Sequence, residues 1–235
     1  MSDYVNLGRS GLRVSRLGLG TFNFGHAVIG CDEATSAGII HAYLDAGHNY
    51  IDTANIYGGS LAETYVGKAI KGRRDDVVLA TKAGGAYGSG PFEGGASRKA
   101  LYRALEDSLR RLETGYVDLY QVHVFDYHTP LEETLSTLND MVRQGRIRHY
   151  GVCNWNASQI TDAARLCQAN GWEPIVTAVP QVVPELCPRS GLLALLQARA
   201  LVIVRRCSTS RTRAGWGGGG LGRFRWCASS RSRWR

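Results

Sequence analysis

GTFNFGHAVIGCDE, residues 20 to 33, is the passage on which the fold turns. It follows the apolar run LGL and leads into DEATSAGIIHAYLDAG, a helical stretch, so it is the first strand-to-helix connection of the chain. An open dinucleotide-binding sheet wants G-x-G-x-x-G at this place, with the last glycine opening straight into the helix. The passage has no such turn. What the open sheet loses here, a closed (β/α)8 barrel gains, because both are built from alternating strands and helices joined by right-handed crossovers.

The alternation continues outward from that loop. Apolar runs suited to buried strands begin at LGLGTFNF (17 to 24), NYIDTA (49 to 54), DVVLATKA (76 to 83), YVDLYQVHV (116 to 124), IRHYGVCNW (147 to 155) and PIVTAV (174 to 179). Between them lie DEATSAGIIHAYLDAG, LAETYVGKAIKG, SRKALYRALEDSLRRLE, PLEETLSTLNDMVRQG and ASQITDAARLCQANG. In the third of these, Leu101, Leu105, Leu109 and Leu112 recur at three- and four-residue spacing, one apolar helical stripe. Ser97 and Thr129-Pro130 stand as caps or first-turn residues, and Gly145 and Gly171 stand where helices stop. Ahead of the first strand, YVNLGRSGLRVSRL pairs two short runs across GRSG and predicts a hairpin on the barrel floor.

Charge divides the chain into unlike parts. Residues 1 to 179 carry 17 Lys and Arg against 19 Asp and Glu, whereas residues 180 to 235 carry 11 Arg, no Lys and one acid. That last quarter also holds three of the five tryptophans and the run GWGGGGLGRFRWCASSRSRWR. Arginine without lysine, with abundant Gly, Trp, Cys and Ser, is what a GC-rich coding sequence gives when read out of frame. A frameshift near codon 180 is therefore the expectation, with a basic tail for a nucleic acid or acidic partner as the alternative. The expected division is a barrel domain over 1–181 and an atypical, disordered or out-of-frame tail over 182–235. A barrel of this type takes about 250 residues, so it is expected to be incomplete after its sixth or seventh strand. Uncovered sheet edges would then predict poor folding and weak cofactor affinity.

No apolar run reaches membrane-spanning length and MSDYVNLGRSGL lacks the blocks of a secretory signal, so the expectation is a cytoplasmic protein. The six cysteines show no CxxC pair and no Cys/His metal spacing, which reads as reduced thiols and no metal site.

In a barrel, chemistry gathers at the C-terminal ends of the strands. Asp52 ends the second strand, Tyr57 lies in the loop behind it, Lys82 ends the third strand and His123 the fourth. Singly each has a mild explanation: a loop cap, a packing ring, a solvated strand end, a satisfied core histidine. Together, on three neighbouring strands, they fit carbonyl reduction. A phenol whose ordinary pKa is about 10 donates a proton poorly at neutral pH unless a neighbouring cation favours its ionised form. Lys82 is that cation, Asp52 orients it, and His123 hydrogen-bonds the substrate oxygen beside Tyr57. No side chain supplies the hydride, so a cofactor is required.

The segments GLGTFNFG, IDTANIYGG, LATK, SRKALYRALEDSLRRLETGYVDLYQVH and LEETLSTLNDMVRQGRIRHYGVCNW, in this order, resemble the aldo-keto reductases, in particular the bacterial branch similar to potassium-channel β subunits. The resemblance covers residues 4 to 181. It implies Tyr57 as general acid with Asp52, Lys82 and His123 as partners, and NADPH bound without a dinucleotide-binding fold. By the same resemblance Gly20, Thr21 and Asp52 face the cofactor, Cys153 and Asn154 occupy the family's Ser-Asn position on the carboxamide, and Gln181 corresponds to a glutamine on the nicotinamide. Cysteine for serine is a departure, and a thiol is the weaker hydrogen-bonding group. Phe24, Tyr87 and Phe125 are expected as apolar walls around a small carbonyl substrate. Two further readings stay open: an inactive or regulatory β-subunit-like cofactor binder, and a basic-tailed nucleic-acid binder, the less economical of the two. Neither explains the four rim residues as directly as a reductase does.

Overall fold

The computed structural model describes residues 4–28 and 30–179. Gln181, the division at 181/182, the 182–235 tail and the point at which the barrel stops lie outside the described residues. Two short strands, β1 (Tyr4–Asn6) and β2 (Arg13–Ser15), pair antiparallel as the expected hairpin. They are followed by β3 (Gly18–Gly20), α1 (Glu33–Asp45), β4 (Tyr50–Asp52), α2 (Leu61–Ala69), β5 (Val78–Ala83), α3 (Arg98–Arg111), β6 (Val117–Val122), α4 (Leu131–Arg143), β7 (Ile147–Cys153), α5 (Ala157–Asn170) and β8 (Thr177–Val179). Strands β3 to β8 form one sheet in sequence order, every neighbouring pair parallel. This is the barrel topology, with six of its strands in place among the described residues.

Parallel strands covered on both faces are apolar throughout, and β5 and β6 are buried at every position. Period-two alternation sorts their side chains. Ile51, Leu79, Tyr120, Val122 and Val152 pack outward with Ile40, Val66, Leu101, Leu105, Leu135 and Ile160 of the helices. Tyr50, Val78, Ala80 and Leu119 turn inward and meet Leu7 and Val14 of the hairpin, which floors the barrel. The leucine stripe of α3 is buried as its spacing predicts, with Leu101 and Leu105 fully so. Each such side chain contributes roughly 2 kcal/mol by burial.

The helix ends obey their cap residues. Ser97 caps α3 by accepting from Ala100 N, and Asn156 with Gln159 forms a capping box on α5. Pro130 precedes α4, and Gly171 ends α5 in the left-handed conformation at φ 63°. The first, second and sixth strands are at most half as long as their apolar runs. After Gly20 the backbone turns, with Phe24 N donating to Thr21 O, so TFNF belongs to the rim loop.

Candidate active site

Asp52, the last residue of β4, and Lys82 in β5 point into the barrel mouth from adjacent strands. Lys82 Nζ lies 2.6 Å from Asp52 Oδ2, and the two residues are 2 % and 8 % exposed. The same ammonium donates to Thr53 O at 2.8 Å and to the Tyr57 hydroxyl at 3.3 Å. Burial is the largest single influence on Lys82 and pulls its pKa down, but the charge of Asp52, then Tyr57 and Cys153, and the hydrogen bond to Asp52 together outweigh it, and the ammonium is held above the ordinary lysine value. Its three hydrogens are thereby committed, one to each partner.

The two glycines after Tyr57 set its position. Gly58 and Gly59 adopt φ 58° and 65°, and a Cβ at Gly58 would collide with Phe24 O. The turn they permit lays the Tyr57 ring against the rim, 5 % exposed. His123, one residue beyond β6, sets its ring edge-on to that of Tyr57 with centroids 5.9 Å apart. The four residues that the sequence singled out thus meet at one place. Because an ammonium can only donate, the phenol oxygen accepts from Lys82, and the phenol's own hydrogen is directed elsewhere.

The residues expected to face a cofactor surround this group. Thr21 bonds back to the end of β4 through both N and Oγ1, which meet Asp52 O at 3.0 and 3.2 Å. Asn154, at φ 59°, donates from Nδ2 to His123 O at 2.9 Å. Cys153 is a buried thiol at the end of β7, and Cys31 and Cys167 are thiols as well. A Cβ at Gly20 would meet no atom within 4 Å, so the space beside this residue at the end of β3 is open. Thr21 just after β3, and Cys153 and Asn154 at the end of β7, are polar groups of a kind that fits the nicotinamide end of a dinucleotide. Among the described residues no cluster of His, Cys, Asp or Glu could hold a metal ion.

The expected apolar walls are placed unevenly. Phe125 packs edge-on to Trp155 at 4.9 Å, and Tyr87 is partly buried against the core. Phe24 is buried in the core, 4 % exposed, whereas Phe22, which the sequence did not single out, is 39 % exposed and lies edge-on to Tyr57 at 5.4 Å. Phe22 lies two residues earlier in the same loop, on the tyrosine side of the mouth. Gln121 was also missed: its Nε2 meets Asp52 Oδ1 at 3.1 Å. The period-two register of YVDLYQVHV, which turns Leu119, Gln121 and His123 the same way, was the signal for it.

The aldo/keto reductase family model matches residues 16–205. The chain belongs to the aldo/keto reductase family. It is 42 % identical over 161 residues to the aldo-keto reductase YhdN of Bacillus subtilis, covering 67 % of this chain and 49 % of that protein. To a probable voltage-gated potassium channel subunit beta of Oryza sativa it is 40 % identical over 165 residues, covering 68 % and 49 %. Among solved structures it is similar to the thermostable aldo-keto reductase Tm1743, determined with the inhibitor epalrestat, at TM-score 0.71 and 35 % identity over 85 % of this chain and 70 % of that one. The aldo-keto reductase AKR11C1 of Bacillus halodurans, in its holo form, gives TM-score 0.72 and 34 % identity over 87 % and 65 %. The chain spans about half the length of the curated relatives it matches.

Proposed function

We propose that this family member reduces the carbonyl of a small aldehyde or ketone to an alcohol with NADPH, in the cytoplasm. The observation that carries the reading is the three-way commitment of Lys82 to Asp52, Thr53 O and Tyr57. It leaves the phenol's hydrogen directed away from the ammonium, available to a substrate oxygen. Tyr57 acts as general acid, Lys82 stabilises the phenolate left behind, Asp52 fixes Lys82, and His123 orients the carbonyl oxygen beside Tyr57. Gly20, Thr21, Cys153 and Asn154 would hold the nicotinamide end. The cofactor, when bound, supplies the hydride.

The test is steady-state oxidation of NADPH against a panel of aldehydes and ketones, with the alcohol quantified. One alcohol formed per NADPH consumed is expected; NADPH oxidised without alcohol, or no oxidation with any carbonyl, contradicts the reading. The 40 % identity to a probable potassium channel β subunit favours a second reading, a regulatory cofactor binder. Tight NADPH binding with no turnover across the panel would select it.

A further inference from the structure

The two oxygens of Asp52 answer to different partners. Oδ2 lies 2.6 Å from Lys82 Nζ, and Oδ1 accepts from Gln121 Nε2 at 3.1 Å. Gln121 is fully buried on β6, two residues before His123. The orientation of its amide is dictated by its neighbour: a carboxylate paired with an ammonium only accepts, so the nitrogen faces Asp52. The amide oxygen then accepts from Cys153 Sγ at 3.6 Å and Thr177 Oγ1 at 3.4 Å. Gly151 makes room for this, since a Cβ there would clash with Thr177 Oγ1. One amide thus joins the ends of β4 and β7 and the start of β8 from its place on β6.

We propose that Gln121 is a positioning residue of the tetrad: by holding Oδ1 of Asp52 it leaves Oδ2 to Lys82, and it ties the nicotinamide side of the mouth at Cys153 to the proton-delivering side. The inference rests on the reading of Tyr57 as general acid. Without the amide, Oδ1 turns to the nearest donor, which is Lys82. The ammonium is then drawn into a two-oxygen contact and away from Tyr57, the longest of its three bonds at 3.3 Å. Substrate binding does not depend on that bond; proton delivery does.

Gln121→Met keeps the volume and removes both amide functions. In the full chain, kcat is expected to fall about tenfold while KM for the carbonyl stays within about twofold, because only the proton-transfer step is touched. In the cofactor-free protein, the Lys82 ammonium monitored by nitrogen-15 NMR is expected to exchange with water about tenfold faster, its carboxylate no longer being fixed. Unchanged exchange with unchanged kcat overturns the proposal, as does a rise in KM alone. Should the methionine variant not fold, Gln121→Glu preserves the shape: its protonated form donates to Asp52 as the amide does, and its ionised form cannot. Activity restored toward acid pH is the expected result, and a loss independent of pH overturns the proposal. Tyr57→Phe run in parallel separates the two levels. If it is inactive while Gln121→Met behaves as the parent, the role of Gln121 fails and the reductase reading stands. If it remains active, the reductase reading fails, and the ammonium exchange still decides whether Gln121 holds Asp52.

Discussion

Two aspartate–cation pairs lie at opposite ends of this barrel, and the cations' other partners differ. At the C-terminal mouth, Asp52 and Lys82 meet at 2.6 Å; at the N-terminal floor, Asp118 and Arg74 meet at 2.8 Å. Arg74 also donates to Val77 O, Tyr116 O and Thr114 Oγ1, while Asp118 accepts from Leu79 N. The Tyr116 ring is flanked by the guanidinium groups of Arg74 and Arg148, each 4.2 Å from its centroid. That is a staple across the entry to β5 and β6. Lys82 instead reaches a phenol at the mouth. The pairing chemistry is nearly the same at both ends, and on the function proposed above the destination of the cation's other hydrogens decides whether the pair serves stability or reaction. This agrees with the rule that polar residues at the C-terminal strand ends of such barrels read as catalytic and those at the N-terminal ends as stabilising.

The largest expected effect is at the mouth. Lys82→Met should lower kcat by at least about 10³-fold, since both the polarising charge and the bond to Tyr57 go. Arg74→Met should leave kcat within about twofold and cost about 3 kcal/mol of stability, read as a lower urea midpoint, because Asp118 is left buried without its cation. Loss of turnover in Arg74→Met at an unchanged midpoint would contradict this division of labour between floor and mouth.

A pH titration reads the contribution of His149 to stability. Burial holds the His149 pKa below its ordinary 6.5, against the opposing pull of Glu173 and Asp118. Its folded pKa is depressed, so its contribution to stability is complete above 6.5 and is lost as the pH falls from there through the folded value. The urea midpoint should decline over that window, and His149→Gln should flatten the decline; an equal decline in the variant would remove His149 as its source. The smallest effect is at the cap of α5, where Asn156→Ala should cost about 1 kcal/mol in the same unfolding experiment, with no change in kcat.

Much of this architecture was legible in the sequence. Strand and helix alternation, the α3 stripe and the caps at Ser97 and Gly171 are local signals, and local signals survive without a structure. The tetrad was legible because each member sits at or just beyond a strand end and carries a reactive side chain. Gln121 was harder to see: an amide inside a strand has no chemistry of its own until the register brings it to Asp52, 69 residues away in sequence. Phe22 and Phe24 could not be told apart, because their exposure depends on where β3 ends, and Thr21 ends it earlier than the apolar run suggests.

Tyr57→Phe tests the reading of this mouth most directly, since it removes one oxygen and leaves the ring where Phe22 and His123 contact it. Turnover of an accepted aldehyde and NADPH binding by fluorescence titration should be measured on the same preparation. If Tyr57 delivers the proton, turnover falls by at least about 10²-fold while the NADPH dissociation constant stays within about twofold of the parent. Turnover at the parent's rate would show that the proton comes from another group, and the assignment of this mouth as the proton-delivering site would be wrong.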